Sequence, residues 1–298
     1  MATVQDIRRR LRAVRNTRKI TRAMEMVAAA RLRKSEQRIR ELRPYADRMM
    51  ELMVGTARAS TSLRGLPLLQ RHESEQNVVI VPITGDRGLA GGFNAQVLRR
   101  AFALEAELRG EGKQVSWLVS GKKGGSTLRF RGFEVMEAYT GFADNPHYAD
   151  AQGIAHRLAE LYAAGEVDRV VVVYNAYVSA LVQRVTVQDV LPIPEELLES
   201  GGAEEQEEAV QRGDFIYEPE PEEILERLLP VYLETELYRA LLESSASFLG
   251  AQMTAMRNAT KAAGELIDNL TLAMNRARQA EITQEILEVV AGADALTA

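Results

Sequence analysis

The chain has 298 residues, 46% of them apolar and 27% charged, enough apolar material for one large core or two modest ones. It has no cysteine and three histidines, His72, His147 and His156, which excludes disulfides and cysteine-ligated zinc and leaves few ligands for an imidazole metal site. The formal net charge of -5 hides segregation: Met1 to Met50 carries fifteen Arg or Lys against five Asp or Glu, whereas Glu195 to Glu226 carries thirteen acids against Arg212.

Such asymmetry aims the basic segment at an acidic partner, whether nucleic acid, lipid or a protein surface, unless it is simply a solvated helix face. No stretch approaches the roughly 20 uncharged apolar residues of a membrane span, so direct membrane insertion is not expected. MATVQDIRRR opens without the apolar core of a signal peptide.

In chain order, the first element is a helix. Val4, Ile7, Leu11, Val14, Ile20, Met24 and Val27, then Leu32, Ile39, Leu42, Met49 and Met53, recur mainly at spacings of three and four. That is one narrow stripe flanked by charge, the pattern of a coiled-coil seam over residues 1–60. Unbroken to Ala59 it spans roughly 85 Å, and Pro44 is expected to kink it.

The second region, residues 75–218, alternates strands and helices. NVVIVPI (Asn77 to Ile83), QVSWLVS (Gln114 to Ser120) and DRVVVVYNAY (Asp168 to Tyr177) read as buried parallel strands. Phe93 to Leu108 and Tyr148 to Ala164 read as helices, and the alternation from Val182 to Pro192 adds an antiparallel strand. The order, strand, helix, strand, an optional short helix, helix and two strands, predicts a small Rossmann-like domain, with an acidic loop at about residues 195–213.

Within it, VPITGDRGLAGGFN (Val81 to Asn94) places four glycines between a strand and a helix start, an arrangement able to aim backbone N–H groups at a phosphate. The spacing is not G-x-G-x-x-G, because Arg87 stands where the second glycine belongs, and no GK[ST] follows. A tight turn into a helix explains the same glycines. An enzyme using Gly85 to Gly92 and the GKKGG of Gly121 to Gly125 as phosphate contacts is one alternative, and a basic arm binding nucleic acid is another.

The third region, residues 221–298, is again helical, from Pro221 to about Val290, with a bend expected at Pro230. Met253, Met256, Thr260, Ala263, Ile267, Leu270, Met274 and Ala277 alternate spacings of three and four without error. Pairing the two terminal helices antiparallel buries both seams. The fold class is therefore α/β with long helices: an antiparallel coiled coil plus a small Rossmann-like domain. Its outer face is expected to be polar.

Several motifs resemble one family. They are TRKITRAMEMVAAARLRK near the N-terminus, RPYA from Arg43, ITGDRGLAGGFN, MRNAT from Met256, NRARQAEITQE from Asn275 and ITQEILEVVAGA from Ile282. Together they cover essentially the whole chain, and they resemble the gamma subunit of the rotary ATP synthase. The resemblance implies a central stalk that performs no bond chemistry and holds no cofactor. Its implied partners are three alpha and three beta subunits, the epsilon subunit and the membrane ring of c subunits, with no nucleic acid. It implies a peripheral place on the cytoplasmic face of a bacterial inner membrane. By resemblance, Arg278 and Gln279 match contacts with acidic loops of the beta subunits, Thr283 and Glu285 match positions implicated in coupling, and Met24 matches a position near those loops where an introduced charge disturbs coupling, unless it is simply seam packing.

Overall fold

The computed structural model describes residues 3–60, 63, 65–72, 74–199 and 219–297. Two long helices bracket the chain: α1 (Val4–Ala59) and α6 (Pro221–Thr297). Thr3 caps α1, its hydroxyl accepting the Asp6 N–H at 3.2 Å while donating to the Asp6 carboxylate at 2.9 Å. Both helices run through their prolines, Pro44 and Pro230, without interruption. α6 extends seven residues beyond the expected end at Val290.

Between them lie β1 (Asn77–Pro82), α2 (Phe93–Gly110), β2 (Gln114–Ser120), α3 (Lys122–Phe130), β3 (Val135–Tyr139), α4 (Tyr148–Ala163), β4 (Arg169–Tyr177), β5 (Gln183–Leu191) and α5 (Glu196–Glu199). The sheet order is β3-β2-β1-β4-β5, parallel except for β5, which pairs antiparallel with β4. β3 is an addition to the sequence reading, and α3 fills the place of the optional helix that it left without bounds. The acidic stretch beyond Glu199, up to residue 213, lies outside the described residues.

The chain divides into a rod unit, residues 1–29 and 252–298, and a head unit, residues 30–251. In the head, the continuous apolar runs of β1 and β4 are buried on both faces, as parallel strands covered by helices require. Val78, Ile80, Val171 and Val173 meet α2 and α3 through Val97, Leu104 and Leu128. On the opposite face, Val79, Val81, Val170 and Val172 share a core with Ile154 and Leu158 of α4 and Met49 and Met53 of α1. α6 adds Leu225, Leu229, Leu233, Leu237 and Leu241, every fourth residue and hence one face of the helix.

Candidate functional site

The glycine loop after β1 has the strand, turn and helix order of a phosphate cradle, yet groups in and beside it that could hold an anion are engaged by the protein. The Asp86 carboxylate accepts the N–H of Lys122, first residue of α3, at 2.9 Å, and those of Gly141 and Ala143 at 2.9 and 3.1 Å. A built-in carboxylate thus stands at the N-terminus of α3, the helix that the second glycine segment, GKKGG, leads into. Gly85 donates its N–H to Asn94 Oδ1 at 2.8 Å.

The GKKGG segment forms the linker and first turn of α3. The Thr84 hydroxyl accepts the Gly124 N–H at 2.9 Å and donates to the Ser120 carbonyl at 3.0 Å. A Cβ on Gly124 would fall 2.7 Å from that hydroxyl, so these glycines serve close packing of helix on strand.

In doubly wound sheets a ligand sits outside the strand ends where the order reverses, here between β1 and β4. That place is filled. Phe248 of α6 lies edge-on to Phe93 with ring centroids 5.4 Å apart, and a Cβ on Gly85 would touch the Phe248 ring at 2.9 Å. A cleft of about 580 Å³ opens beside the loop, with Arg31, Arg38 and Arg87 in its walls. Arg31 and Arg87 lie 3.8 and 3.4 Å from Asp144, and Arg38 is bonded to Asn145, Pro146 and Tyr238.

The rod unit holds all the residues matched to coupling contacts. Its seam on α1 consists of Ile7, Leu11, Val14, Thr21, Met24, Glu25 and Ala28, each buried or half-buried. Ile20 and Val27, read from sequence as seam, are instead 59% and 53% exposed. A strict heptad carries the inward face through the polar positions Thr21 and Glu25, one residue past the more apolar neighbours. On α6, Met253, Met256, Ala263 and Ile267 are buried and Thr260, Leu270, Met274 and Ala277 half-buried.

Thr21 and Thr260 hydrogen-bond across the seam at 2.8 Å, and Arg257 Nε donates to Glu25 at 2.9 Å. Rising numbers on α1 thus meet falling numbers on α6, which makes the pair antiparallel. A Cβ on Gly264 would lie 3.7 Å from the Arg18 guanidinium, so a small residue leaves room for a large cation at the seam.

Met24 is half-buried beside the Glu25–Arg257 pair. Arg278, Gln279, Thr283 and Glu285 begin about 30 Å further along α6 than Arg257. All four are exposed, and the Thr283 hydroxyl donates to the Gln279 carbonyl at 2.9 Å. The structure therefore groups these four and does not bring Met24 to them.

From Arg278 to Ala293 every side chain is exposed, including Ile282, Ile286, Leu287, Val289 and Val290. The expectation of a polar exterior fails on this stretch. Hydrophobic side chains at spacings of three and four continue after Ala277, the last inward residue whose burial is described, and Ile282, Ile286, Leu287, Val289 and Val290 stay uncovered among the described residues. Counting the α1 heptad strictly through Thr21 would have revealed the polar layer, and comparing seam lengths would have revealed the uncovered apolar tail.

A family model described as ATP synthase matches residues 3–296. The chain is 45% identical over 298 residues to the ATP synthase gamma chain of Rubrobacter xylanophilus, covering 100% of both chains. It is 44% identical over 296 residues to that of Moorella thermoacetica, covering 99% of this chain and 100% of the other. Among solved structures, a chain of the Tetrahymena thermophila mitochondrial ATP synthase central stalk and c-ring matches with TM-score 0.58 and 27% identity, over 80% of this chain and 99% of that one. A chain of the Euglena gracilis mitochondrial ATP synthase matches with TM-score 0.67 over 98% of this chain and 94% of that one; at 19% identity the likeness is one of fold.

Proposed function

Because the chain belongs to the ATP synthase gamma-chain family, we propose that it is the central rotor shaft of an F-type ATP synthase. The shaft couples proton-driven rotation of a membrane ring to conformational change, and so to ATP synthesis or hydrolysis, at a catalytic hexamer. Its partners are three alpha and three beta subunits, the epsilon subunit and the ring of c subunits. It is a non-catalytic subunit and lies peripherally on the cytoplasmic face of the bacterial inner membrane. No helix among the described residues is long and apolar enough to cross a membrane.

The observation that carries this reading is the rod unit, whose two helices bury one seam of apolar and small side chains between them while Arg8, Arg9, Arg10, Arg12, Arg15 and Arg22 stay exposed. A helix turning inside a sleeve needs contacts that form and break readily. Exposed ion pairs are worth about 0–1 kcal/mol each, and Arg stays ionised as it exchanges one carboxylate for another. Arg278 and Gln279 then act as contacts to acidic loops of the beta subunits, with Thr283 and Glu285 in the same coupling stretch and Met24 at a position near those loops where an introduced charge disturbs coupling. The apolar side chains beyond Ala277 call for cover from the hexamer, and non-directional apolar contact does not lock a rotor at one angle.

The test is assembly. Mixed with alpha and beta subunits of a family member, the chain should enter one complex that hydrolyses ATP. A chain that elutes apart from the hexamer under every condition of assembly would refute the reading.

A further inference from the structure

Within the head unit, the segment between β3 and α4 meets both long helices and the glycine loop. Arg38 of α1 donates Nη1 to Asn145 Oδ1 at 2.7 Å and Nη2 to the Tyr238 hydroxyl of α6 at 2.9 Å; Nη2 also donates to the Pro146 carbonyl. Asp144 faces Arg31 of α1 at 3.8 Å and Arg87 of the glycine loop at 3.4 Å. Its carbonyl accepts the Ser245 hydroxyl of α6 at 3.0 Å. Asp86 anchors the same segment to the sheet's end through Gly141 and Ala143.

The joint between these helices and the sheet has an apolar layer, built from Met49, Met53 and the α6 leucines, with polar contacts at its margins, Tyr177 to Glu36 of α1 and Gln188 to Glu236 of α6 among them. Apolar contact resists separation but has little direction, so it gives way to sliding along the surface. A guanidinium fork is planar and aims its donors at fixed angles, so it resists displacement in the plane where the apolar layer is weak. One side chain here bonds two groups of the head segment and one of the other helix.

We infer that Arg38 is a positioning residue of the rotor, pinning α1, α6 and the Asn145–Pro146 segment so that within the head these parts turn as one stiff body under load. This rests on the rotor reading. Lysine cannot replace the pin, because a single ammonium cannot reach three acceptors in the geometry of the fork.

The experiment uses the assembled complex with Arg38→Lys and, separately, the double change Asn145→Ala with Tyr238→Phe, which removes acceptors and leaves Arg38 in place. Three quantities are read: ATP hydrolysis per assembled complex, the angular spread of a probe on the head while the hexamer is stalled, and proton pumping against a gradient. Both variants should keep hydrolysis, broaden the angular spread and lose pumping as the opposing gradient rises. Undiminished stiffness and pumping in both variants would overturn the proposal. So would a loss that vanishes once corrected for the amount of assembled complex, since that marks a role in folding alone. An unaltered chain that fails to turn overturns the rotor reading and this proposal with it; an unaltered chain that turns beside equally stiff variants overturns this proposal alone.

Discussion

Thr21 and Thr260 face each other across the rod seam with hydroxyl oxygens 2.8 Å apart. Each hydroxyl also has a carbonyl in reach on its own helix, Arg18 at 3.1 Å for Thr21 and Met256 at 2.8 Å for Thr260, so either one can supply the proton the pair shares. The seam is thus a directional contact at this layer, where an all-leucine seam would give only apolar packing.

Thr21→Val should cost about 0.5–1.5 kcal/mol of stability, the worth of one lost hydrogen bond. Adding Thr260→Val should cost less than its own single change, because the pair is already broken. Denaturant unfolding of the four chains of this cycle measures the coupling. Strict additivity would show that the two hydroxyls do not act together.

Gly121 and Gly112 both sit at positive φ, 98° and 83°, but only one is crowded. A Cβ on Gly121 would stand 2.1 Å from the Thr84 carbonyl oxygen, whereas nothing lies within 4 Å at Gly112. Gly112→Ala should therefore cost about 1–2 kcal/mol from backbone conformation alone. Gly121→Ala should cost clearly more, since β1 and α3 must move apart. Equal melting temperatures for the two variants would contradict the interlock at Thr84.

Acid should unfold the head partly through Asp168. Burial, the largest single influence, raises its carboxyl pKa, but hydrogen bonds from the Asn77 N–H, His72 and the Gln76 N–H together outweigh it and hold the group below the ordinary carboxylate value. A depressed folded-state pKa stabilises the fold above the unfolded pKa of about 3.9, and that contribution is lost as pH falls through the folded value. Asp168→Asn should be less stable than the unaltered chain at neutral pH, and the gap should close on acidification below the ordinary carboxylate range. A gap that stays constant with pH would contradict this.

Deleting the chain after Gln279 should leave thermal unfolding almost unchanged, because the side chains from 280 to 293 are all exposed. Rotation driven by ATP should weaken. Both are measured on one truncation; a collapse of unfolding beside normal rotation in surviving complexes would reverse the roles assigned here.

Strong apolar periodicity made most elements readable in advance. β1 and β4 hold continuous β-branched runs, β2 ends on the apolar run Trp117 to Val119, and the α6 seam from Met253 to Ala277 keeps its spacing throughout. α3 was readable only as an optional helix without bounds, because KKGGSTLRF offers a single buried apolar side chain, Leu128, and its helix start depends on Asp86, distant in sequence. β3 escaped because it is a five-residue edge strand, only half-buried at alternate positions. Ile20 and Val27 misled because they are more hydrophobic than their inward neighbours Thr21 and Ala28; the constraint that decides is the facing helix, which a single stripe does not display. The Arg38 contacts bridge positions more than a hundred residues apart and leave no local pattern.

The most direct measurement attaches a probe to the head of the assembled complex. The chain lacks cysteine, and Phe130 at the end of α3 is 91% exposed, so Phe130→Cys gives one labelling site. On addition of ATP the probe should turn continuously in one sense. A probe that stays fixed, or only wanders about one angle, on hexamers that are hydrolysing ATP would contradict the account.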